Sequence, residues 1–282
     1  MEEMSALLEK HQAKVQLEKS ATKEQPTWSC RKCQDNGVDV GFGIGQRTVW
    51  SEQWGTMPAF CDCEKGREAR KAFIELPSSQ EHFKTWKMEK IEKMLKKSGV
   101  AERFRTKRLS DLTDSPALLK LCNSFVDNWE KAKKEGWGLY LWGNVGTGKT
   151  HTATAIANEL IERHFVTVMF VSIADVAARV RKTFDSNQKD QDETLWEDMK
   201  KAELLVLDDF GMEKPTDWLK EQLFLVVNER YERQMPIIAT SNQSLEDIAK
   251  AHFPQVASRL VEMCKAVRFA GEDRRKNLRP DF

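Results

Sequence analysis

The chain has 282 residues, which is enough for one large or two smaller domains. Its hydrophobic content of 40%, with nine Trp and fourteen Phe, is sufficient for a packed core. The formal net charge of +1 excludes no class of partner, although ten Lys/Arg face only three Glu within 84–108.

Membrane, secreted and disulfide-scaffold classes are disfavoured by the sequence. It has no apolar run of membrane-spanning length. The N-terminus, MEEMSALLEK, is too charged for a secretory signal. Six cysteines in a chain of this size do not resemble a disulfide scaffold. We therefore expect a cytoplasmic protein that has no membrane partner.

The N-terminal residues 1–27 are polar, and they are predicted to form a helical or flexible arm. Their aliphatic anchors are few: Leu7, Leu8, Val15 and Leu17.

Two cysteine pairs define a predicted zinc-binding module over 28–66. The pair Cys30 and Cys33 is separated by 27 residues from the pair Cys61 and Cys63. Four thiolates complete the tetrahedral shell that structural Zn²⁺ prefers, and metal binding would supply much of the folding energy of so short a segment. A redox C-x-x-C and unliganded loop thiols are the alternatives, although no βαβ pattern surrounds the first pair. Cys122 and Cys264 are interpreted as packing residues.

A basic helical linker is predicted over 67–110. Lys84, Lys87, Lys90 and Lys93 recur at every third residue, and Met88, Ile91 and Leu95 mark a predicted apolar stripe. The helix is expected to break at Ser98-Gly99. Its charge fits either a solvated helix face or a surface for phosphate backbones, and charge alone does not choose between them.

From residue 111 to residue 282, strands and helices alternate. This pattern predicts an α/β domain in which helices flank a mostly parallel sheet. A helix is expected from Leu118 to Lys134, ended by Gly136, and a mobile polar loop over 185–192. The predicted strands are 137–142, 166–171, 204–207 and 236–242, and the last of these is expected to be followed only by short helices.

The stretch from Gly143 to Thr150 fits the G-x-x-x-x-G-K-[ST] phosphate loop, between an apolar strand and an amphipathic helix. Glycines let backbone N–H groups surround phosphates, and the helix N-terminus adds partial positive charge. Lys149 is expected to reach the β/γ-oxygens, and the Thr150 hydroxyl to bind Mg²⁺. The candidate nucleotide-binding residues are Gly143, Asn144, Val145, Gly146, Thr147, Gly148, Lys149, Thr150 and His151.

Polar residues end two further predicted strands. Asp208 and Asp209 follow an apolar run, and unpaired carboxylates are costly to bury there unless a cation compensates them. Asp208 is the candidate Mg²⁺ ligand, and Asp209 the candidate group that orients the attacking water. Asn242 could polarise that water or bind the γ-phosphate, although a turn-forming Asn is the simpler alternative.

Three segments in this order resemble the AAA+ ATPases of the DnaC/DnaI/IstB group. They are GNVGTGKTH from Gly143, LVLDDFG from Leu205 and NERYERQMPIIATSN from Asn228. The ending, with Ser258-Arg259-Leu260 and the run to Arg275, is similar to the last motifs of this group. The two cysteine pairs resemble the zinc-binding N-terminal domain of DnaI-type loaders.

The resemblance implies roles for individual residues. It makes Asp208 and Asp209 the Walker B acids, and Asn242 the sensor 1 residue. Arg259 matches the arginine finger, which acts on the nucleotide of a neighbouring subunit, and Arg275 matches the sensor 2 arginine. Two departures stand out: Asp209 replaces the usual Glu, and only 40 residues follow Asn242, too few for a full helical lid.

By this resemblance the chain is expected to be an ATP-dependent loader of a replicative DNA helicase. Its cofactors would be ATP, Mg²⁺ and Zn²⁺. Its partners would be a hexameric helicase, single-stranded DNA and, in the ATP-bound state, further copies of itself. An IstB-like transposition helper and a nucleotide-gated adaptor with little turnover are the alternatives.

Overall fold

The structure is a computed structural model that describes residues 48–51, 53, 55–112, 115–184, 189–211, 215–251 and 253–273. The chain divides into two compact units, with the boundary between Lys90 and Ile91. The predicted arm over 1–27 lies outside the described residues. Within them, no helix is long and apolar enough to cross a membrane.

The first unit contains a hairpin and the start of a helical region. Strands β1 (Thr48–Ser51) and β2 (Gly55–Pro58) pair antiparallel. Helix α1 (Glu64–Glu75) ends before Pro77, which begins α2 (Pro77–Lys97) because proline fits the first helical position. The Phe73 side chain is buried on α1, and its ring lies 5.7 Å from that of Phe60.

The predicted apolar stripe on α2 is wrong at one position. Met88 is 71% exposed, whereas Ile91, Met94 and Leu95 pack against the core of the second unit. Met94 fits because it lies one turn after Ile91 and so shares its face. The predicted break at Ser98-Gly99 is confirmed, since α2 ends at Lys97 and Gly99 has a φ of +79°.

The second unit is built on a five-stranded sheet in which every pairing is parallel. The strand order is β4-β5-β6-β3-β7. The strands are β3 (Gly138–Gly143), β4 (Val168–Ser172), β5 (Leu204–Asp208), β6 (Ile237–Ser241) and β7 (Cys264–Phe269). Every residue of β5 and β6 is buried, as expected for central strands of a parallel sheet.

Helices cover both faces of this sheet. They are α3 (Pro116–Asp127), α4 (Trp129–Glu135), α5 (Lys149–His164), α6 (Ile173–Phe184), α7 (Lys189–Lys201), α8 (Asp217–Glu232), α9 (Leu245–Ala251) and α10 (Pro254–Met263). Ile156 and Leu160 of α5 belong to one core, and Leu223 of α8 and Leu260 of α10 to the other. The predicted α/β fold, a parallel sheet flanked by helices, is thereby confirmed.

The single helix predicted from Leu118 to Lys134 is wrong, because the chain forms α3 and α4 there. Asn128 separates the two helices, and its Nδ2 donates to Ser124 O at 2.8 Å. Such a side-chain bond to a carbonyl of the preceding turn competes with continuation of the helix. The predicted end of the helix is confirmed, since Gly136 caps α4 with a φ of +68°.

Two further expectations need correction. Residues 189–192, predicted as loop, begin helix α7, and they contain no Gly or Pro that would disfavour a helix. Residues 185–188 lie outside the described residues. The strand over 237–241 is not the last, because β7 follows it at the edge of the sheet. Lys265 and Arg268 are exposed on this edge strand and interrupt its apolar pattern, so the sequence conceals it.

Candidate functional site

Three neighbouring strands of the sheet end at the candidate site. The phosphate loop follows β3. Asp208 is the last residue of β5, and Asp209 comes directly after it. Asn242 comes directly after β6, which lies between β5 and β3 in the sheet. Since parallel strands all end at the same edge, the topology brings these segments together. This edge is the place where open α/β sheets bind ligands.

The phosphate loop has the backbone shape that its glycines permit. Gly143, Gly146 and Gly148 have φ angles of +140°, +76° and +99°, a region that other residues rarely adopt. Between them, Thr147 is buried, and its Oγ1 donates to Asn144 O at 2.8 Å. Val145 is 53% exposed at the tip of the loop.

Lys149 begins helix α5 and folds into the loop. It is only 5% exposed, and its Nζ donates to Gly143 O at 2.9 Å and to Asn144 O at 2.7 Å. Carbonyl oxygens partly compensate the buried ammonium, and phosphate oxygens would compensate it better because they carry full negative charge.

Asp208, at the end of β5, connects helix α5 to the neighbouring strand β6. Its Oδ1 accepts from Thr150 Oγ1 at 2.9 Å and from Thr240 Oγ1 at 2.6 Å. Burial raises the pKa of Asp208, although both hydroxyl bonds act to lower it. Because the folded-state pKa is raised, the ionised carboxylate destabilises the fold increasingly as pH rises through its titration range. A bound divalent cation would offset that cost.

Thr150 and Asp208 therefore fit the Mg²⁺ and ATP expected at this site. A hydroxyl and a carboxylate are hard oxygen donors of the kind Mg²⁺ prefers, and here they lie within hydrogen-bond distance. The glycine loop supplies backbone donors beside them.

Asp209 differs from its neighbour in exposure and backbone. Its side chain is exposed and its φ is +54°, a left-handed conformation that is uncommon outside glycine. Its N–H donates to Thr240 Oγ1 at 3.0 Å, which holds this backbone against the end of β6.

Thr240 and Gln243 are not among the predicted site residues, yet both bind the loop after β5. Besides the contacts of Thr240 with both acids, Phe210 N–H donates to Thr240 O at 2.8 Å, and Gln243 Nε2 donates to Gly211 O at 3.0 Å. The half-buried Asn242 lies between these two residues in the chain. The available signal was a pair of hydroxyl residues, Thr240-Ser241, that ends an otherwise apolar strand.

His151, in the first turn of α5, faces the segment that precedes α3. Its Nε2 lies 3.7 Å from Asp111 Oδ2, an ion pair only when the imidazole is protonated. Farther along α5, the buried Asn158 Nδ2 donates to the carbonyls of Phe104, Arg105 and Lys107 at 2.9 to 3.2 Å. The segment before α3 is thereby held against the helix that begins at the phosphate loop.

Of the two predicted arginines, the structure describes only Arg259. Arg259 lies on α10, where its Nε donates to Asn228 Oδ1 at 3.1 Å and its guanidinium lies 4.5 Å from the centroid of the Tyr231 ring. Arg275 lies outside the described residues. The roles of both arginines stay predictions.

The predicted zinc ligands are only partly described. Cys30 and Cys33 lie outside the described residues. Cys61 is buried, and Cys63 Sγ accepts from Gly66 N–H at 3.4 Å at the start of α1. In the part of the chain that the structure describes, no group of three or more His, Cys, Asp or Glu residues is arranged to hold a metal ion.

Comparisons with known proteins show which family the second unit resembles. A family model for IstB-like ATP binding proteins matches residues 124–280. The replicative helicase loader DnaI of Bacillus subtilis is 30% identical over 176 residues, which cover 56% of this chain and 54% of the loader. The uncharacterized protein YqaM of B. subtilis is 24% identical over 93% of this chain and 88% of its own length.

Among solved structures, a crystal structure of the DnaC helicase loader matches with a TM-score of 0.53 and 27% identity. The match covers 60% of this chain and all of that chain.

Proposed function

The chain belongs to the family of IstB-like ATP-binding proteins, and we propose that it is an ATP-dependent loader of a replicative DNA helicase. In this proposal it binds and hydrolyses ATP and engages single-stranded DNA. The observation that best supports the proposed ATP site is the 2.9 Å bond from Thr150 to Asp208. This contact joins the phosphate loop to a strand-end acid, as a site for Mg²⁺ and a triphosphate requires.

Each residue of the site has a proposed part. The loop N–H groups and Lys149 bind the β- and γ-phosphates, and Thr150 and Asp208 hold Mg²⁺, which would neutralise developing charge on the phosphates. Asp209 is exposed at the strand end, where it can orient or deprotonate a water molecule. Asn242 would help to polarise that water.

We propose that hydrolysis depends on assembly. Arg259 and Arg275 would complete the site, Arg259 by acting on the nucleotide of a neighbouring subunit. The Asn228 and Tyr231 contacts hold the Arg259 guanidinium at a helix surface, where a second copy could reach it. An arginine supplied in this way stabilises the transition state only when subunits meet, so ATP would favour homo-oligomers.

The proposal of a helicase partner rests on the relatives. DnaI is named as a replicative helicase loader, but the match covers about half of its length. The helicase and DNA partners therefore belong to the proposal.

The loader function is tested with the hexameric helicase of the same organism and circular single-stranded DNA. The wild-type chain with ATP should increase the amount of helicase retained on DNA, and Lys149→Ala should lower that gain at least about tenfold by removing a charged phosphate contact. The matched control is Lys201→Ala, which removes an exposed lysine paired with Glu197. Equal loading by Lys149→Ala and wild type would count against the proposal.

A structural zinc site is proposed in the N-terminal unit, formed by Cys30, Cys33, Cys61 and Cys63. The Gly66 N–H bond to Cys63 Sγ supports this, because outer-shell donors orient metal-bound thiolates. A methyl carbon placed on Gly66 would lie 1.7 Å from Cys61 O, so the chain from Cys61 to Gly66 folds back tightly around this pair.

The zinc proposal predicts about one zinc per purified chain. The double variant Cys61→Ser with Cys63→Ser should lose the metal, because two remaining thiolates cannot complete a closed tetrahedral site. The control Cys122→Ser alters a cysteine buried on α3 and should keep the zinc. Full zinc content in the double variant would rule out this ligand set.

Two other functions remain as candidates. An adaptor that binds ATP and scarcely hydrolyses it is favoured by Asp209, because the side chain of Asp is shorter than that of the usual Glu. A transposition helper is favoured by the IstB-like family match. ATPase assays with helicase and single-stranded DNA would identify the adaptor, and co-purification with a transposase instead of a helicase would identify the helper.

A further inference from the structure

The chain that follows β7 runs along the phosphate loop and brings a carboxylate to it. The strands β3 and β7 end side by side, where a methyl carbon placed on Gly143 would lie 2.1 Å from Phe269 O. At Gly146, such a carbon would lie 1.7 Å from Asp273 Oδ1 and 2.2 Å from its Cγ. The Asp273 carboxylate therefore fills the space that the absent side chain of Gly146 leaves open.

This carboxylate contacts the loop that is expected to attract anions. Gly146 belongs to the backbone that surrounds phosphates in loops of this sequence. An ionised carboxylate accepts hydrogen bonds but donates none, so it cannot bond to phosphate oxygens, which also only accept. Within a few ångströms the two groups repel, and this repulsion is weakly screened in a partly buried site.

We propose that Asp273 sets the nucleotide affinity of this site by opposing the phosphates. This inference rests on the proposed function, because it assumes that the loop binds a nucleotide. The carboxylate contacts Gly146 while the Lys149 ammonium bonds to Gly143 O and Asn144 O. Nucleotide binding then requires Asp273 to withdraw and Lys149 to exchange carbonyl partners for phosphate.

The contact between Asp273 and Gly146 would make the affinity for ATP depend on the position of the segment after β7. Repulsion grows with the charge of the ligand, so ATP is opposed more than ADP, and adenosine is not opposed at all. Anything that draws the segment away from Gly146 would raise the affinity for ATP. A contact with a neighbouring subunit or a partner protein could act in this way.

The test compares Asp273→Asn and Asp273→Ser with wild type in equilibrium binding of ATP, ADP and adenosine to the full chain. Both variants remove the charge, and Ser also shortens the side chain. We expect ATP to bind about tenfold more tightly, ADP to gain less, and adenosine to be unaffected. The ATP gain should shrink as salt is raised.

The matched control is Glu272→Gln, which removes the same charge from the adjacent, exposed residue. It should change ATP affinity less than about twofold, since exposed charges are well screened. Unchanged or weaker ATP binding by both Asp273 variants would overturn the inference while leaving the proposed function intact. A wild-type chain that binds no nucleotide would overturn the proposed function, and the inference with it.

Discussion

Thr240 contacts both acids of the candidate site through a single oxygen atom. Its Oγ1 donates to Asp208 Oδ1 at 2.6 Å and accepts from Asp209 N–H at 3.0 Å. The first bond helps to keep a buried carboxylate ionised, and the second supports the left-handed backbone of Asp209. We interpret Thr240 as a positioning residue that acts through these acids.

Replacing Thr240 by Val, which keeps the shape but removes the hydroxyl, should lower the rate of ATP hydrolysis about 10- to 100-fold. The range follows from a lost hydrogen bond to a charged group. Thr240→Ser keeps the oxygen and should retain most of the activity. Because the Thr240 bond lowers the pKa of Asp208 in the free chain, its loss should also move the acid limb of the kcat/KM profile, which reports the free enzyme, to higher pH.

Steady-state rates from pH 5 to pH 9 check this prediction. A role of Thr240 in packing alone would lower the rate of the Val variant without moving its acid limb. Full activity of Thr240→Val would contradict the positioning role.

At the scale of the elements, one buried arginine joins helix α8 to the end of α7 and to the segments that lead into β5 and β6. Arg230 on α8 is fully buried, and its guanidinium donates to five carbonyls at 2.8 to 3.4 Å: those of Met199, Lys200, Ala202, Glu203 and Pro236. Burial lowers the pKa of Arg230 to about 9. These carbonyls lie at the end of α7 and before β5 and β6, so one side chain satisfies groups from three elements.

Arg230→Met should lower the free energy of unfolding by about 2–4 kcal/mol, because it leaves several buried carbonyls unsatisfied. That loss corresponds to a fall in Tm of roughly 5–15 °C for a unit of this size. Arg233→Met, at the C-cap of the same helix, is the control. Arg233 is exposed and pairs with Glu229, and such surface pairs contribute at most about 1 kcal/mol. Equal melting temperatures for the two variants would contradict this account of Arg230.

The elements also show what the sequence could and could not predict. The central strands β5 and β6 were predictable because they are buried on both sides and read as apolar runs. The edge strand β7 was not, since its exposed side chains break that pattern. The division between α3 and α4 depends on a local bond of Asn128 that propensity alone does not reveal.

On the scale of the whole molecule, the site was predictable from chain order. Once strands and helices alternate, the residues that follow β3, β5 and β6 must meet at one edge of a parallel sheet. The contacts of Thr240 and Asp273 could not be foreseen in this way. They depend on which strands are neighbours and on the path of the chain after an edge strand, and both are set by tertiary packing.

The two units of the chain are proposed to have different functions. The unit from Ile91 carries the proposed nucleotide site, and the unit before it carries the cysteines described at Cys61 and Cys63 that are proposed to bind zinc. The proposed loader function depends on the claim that the loop from Gly143 to Thr150 binds ATP with Mg²⁺.

The most direct test of that claim is isothermal titration of ATP with Mg²⁺ into the wild-type chain and into Lys149→Ala. We expect saturable binding of about one ATP per wild-type chain. The affinity of Lys149→Ala for ATP should be at least about tenfold lower, because a charged phosphate contact is removed. Circular dichroism should show that the variant remains folded. Equal ATP affinity for the two proteins would contradict the account.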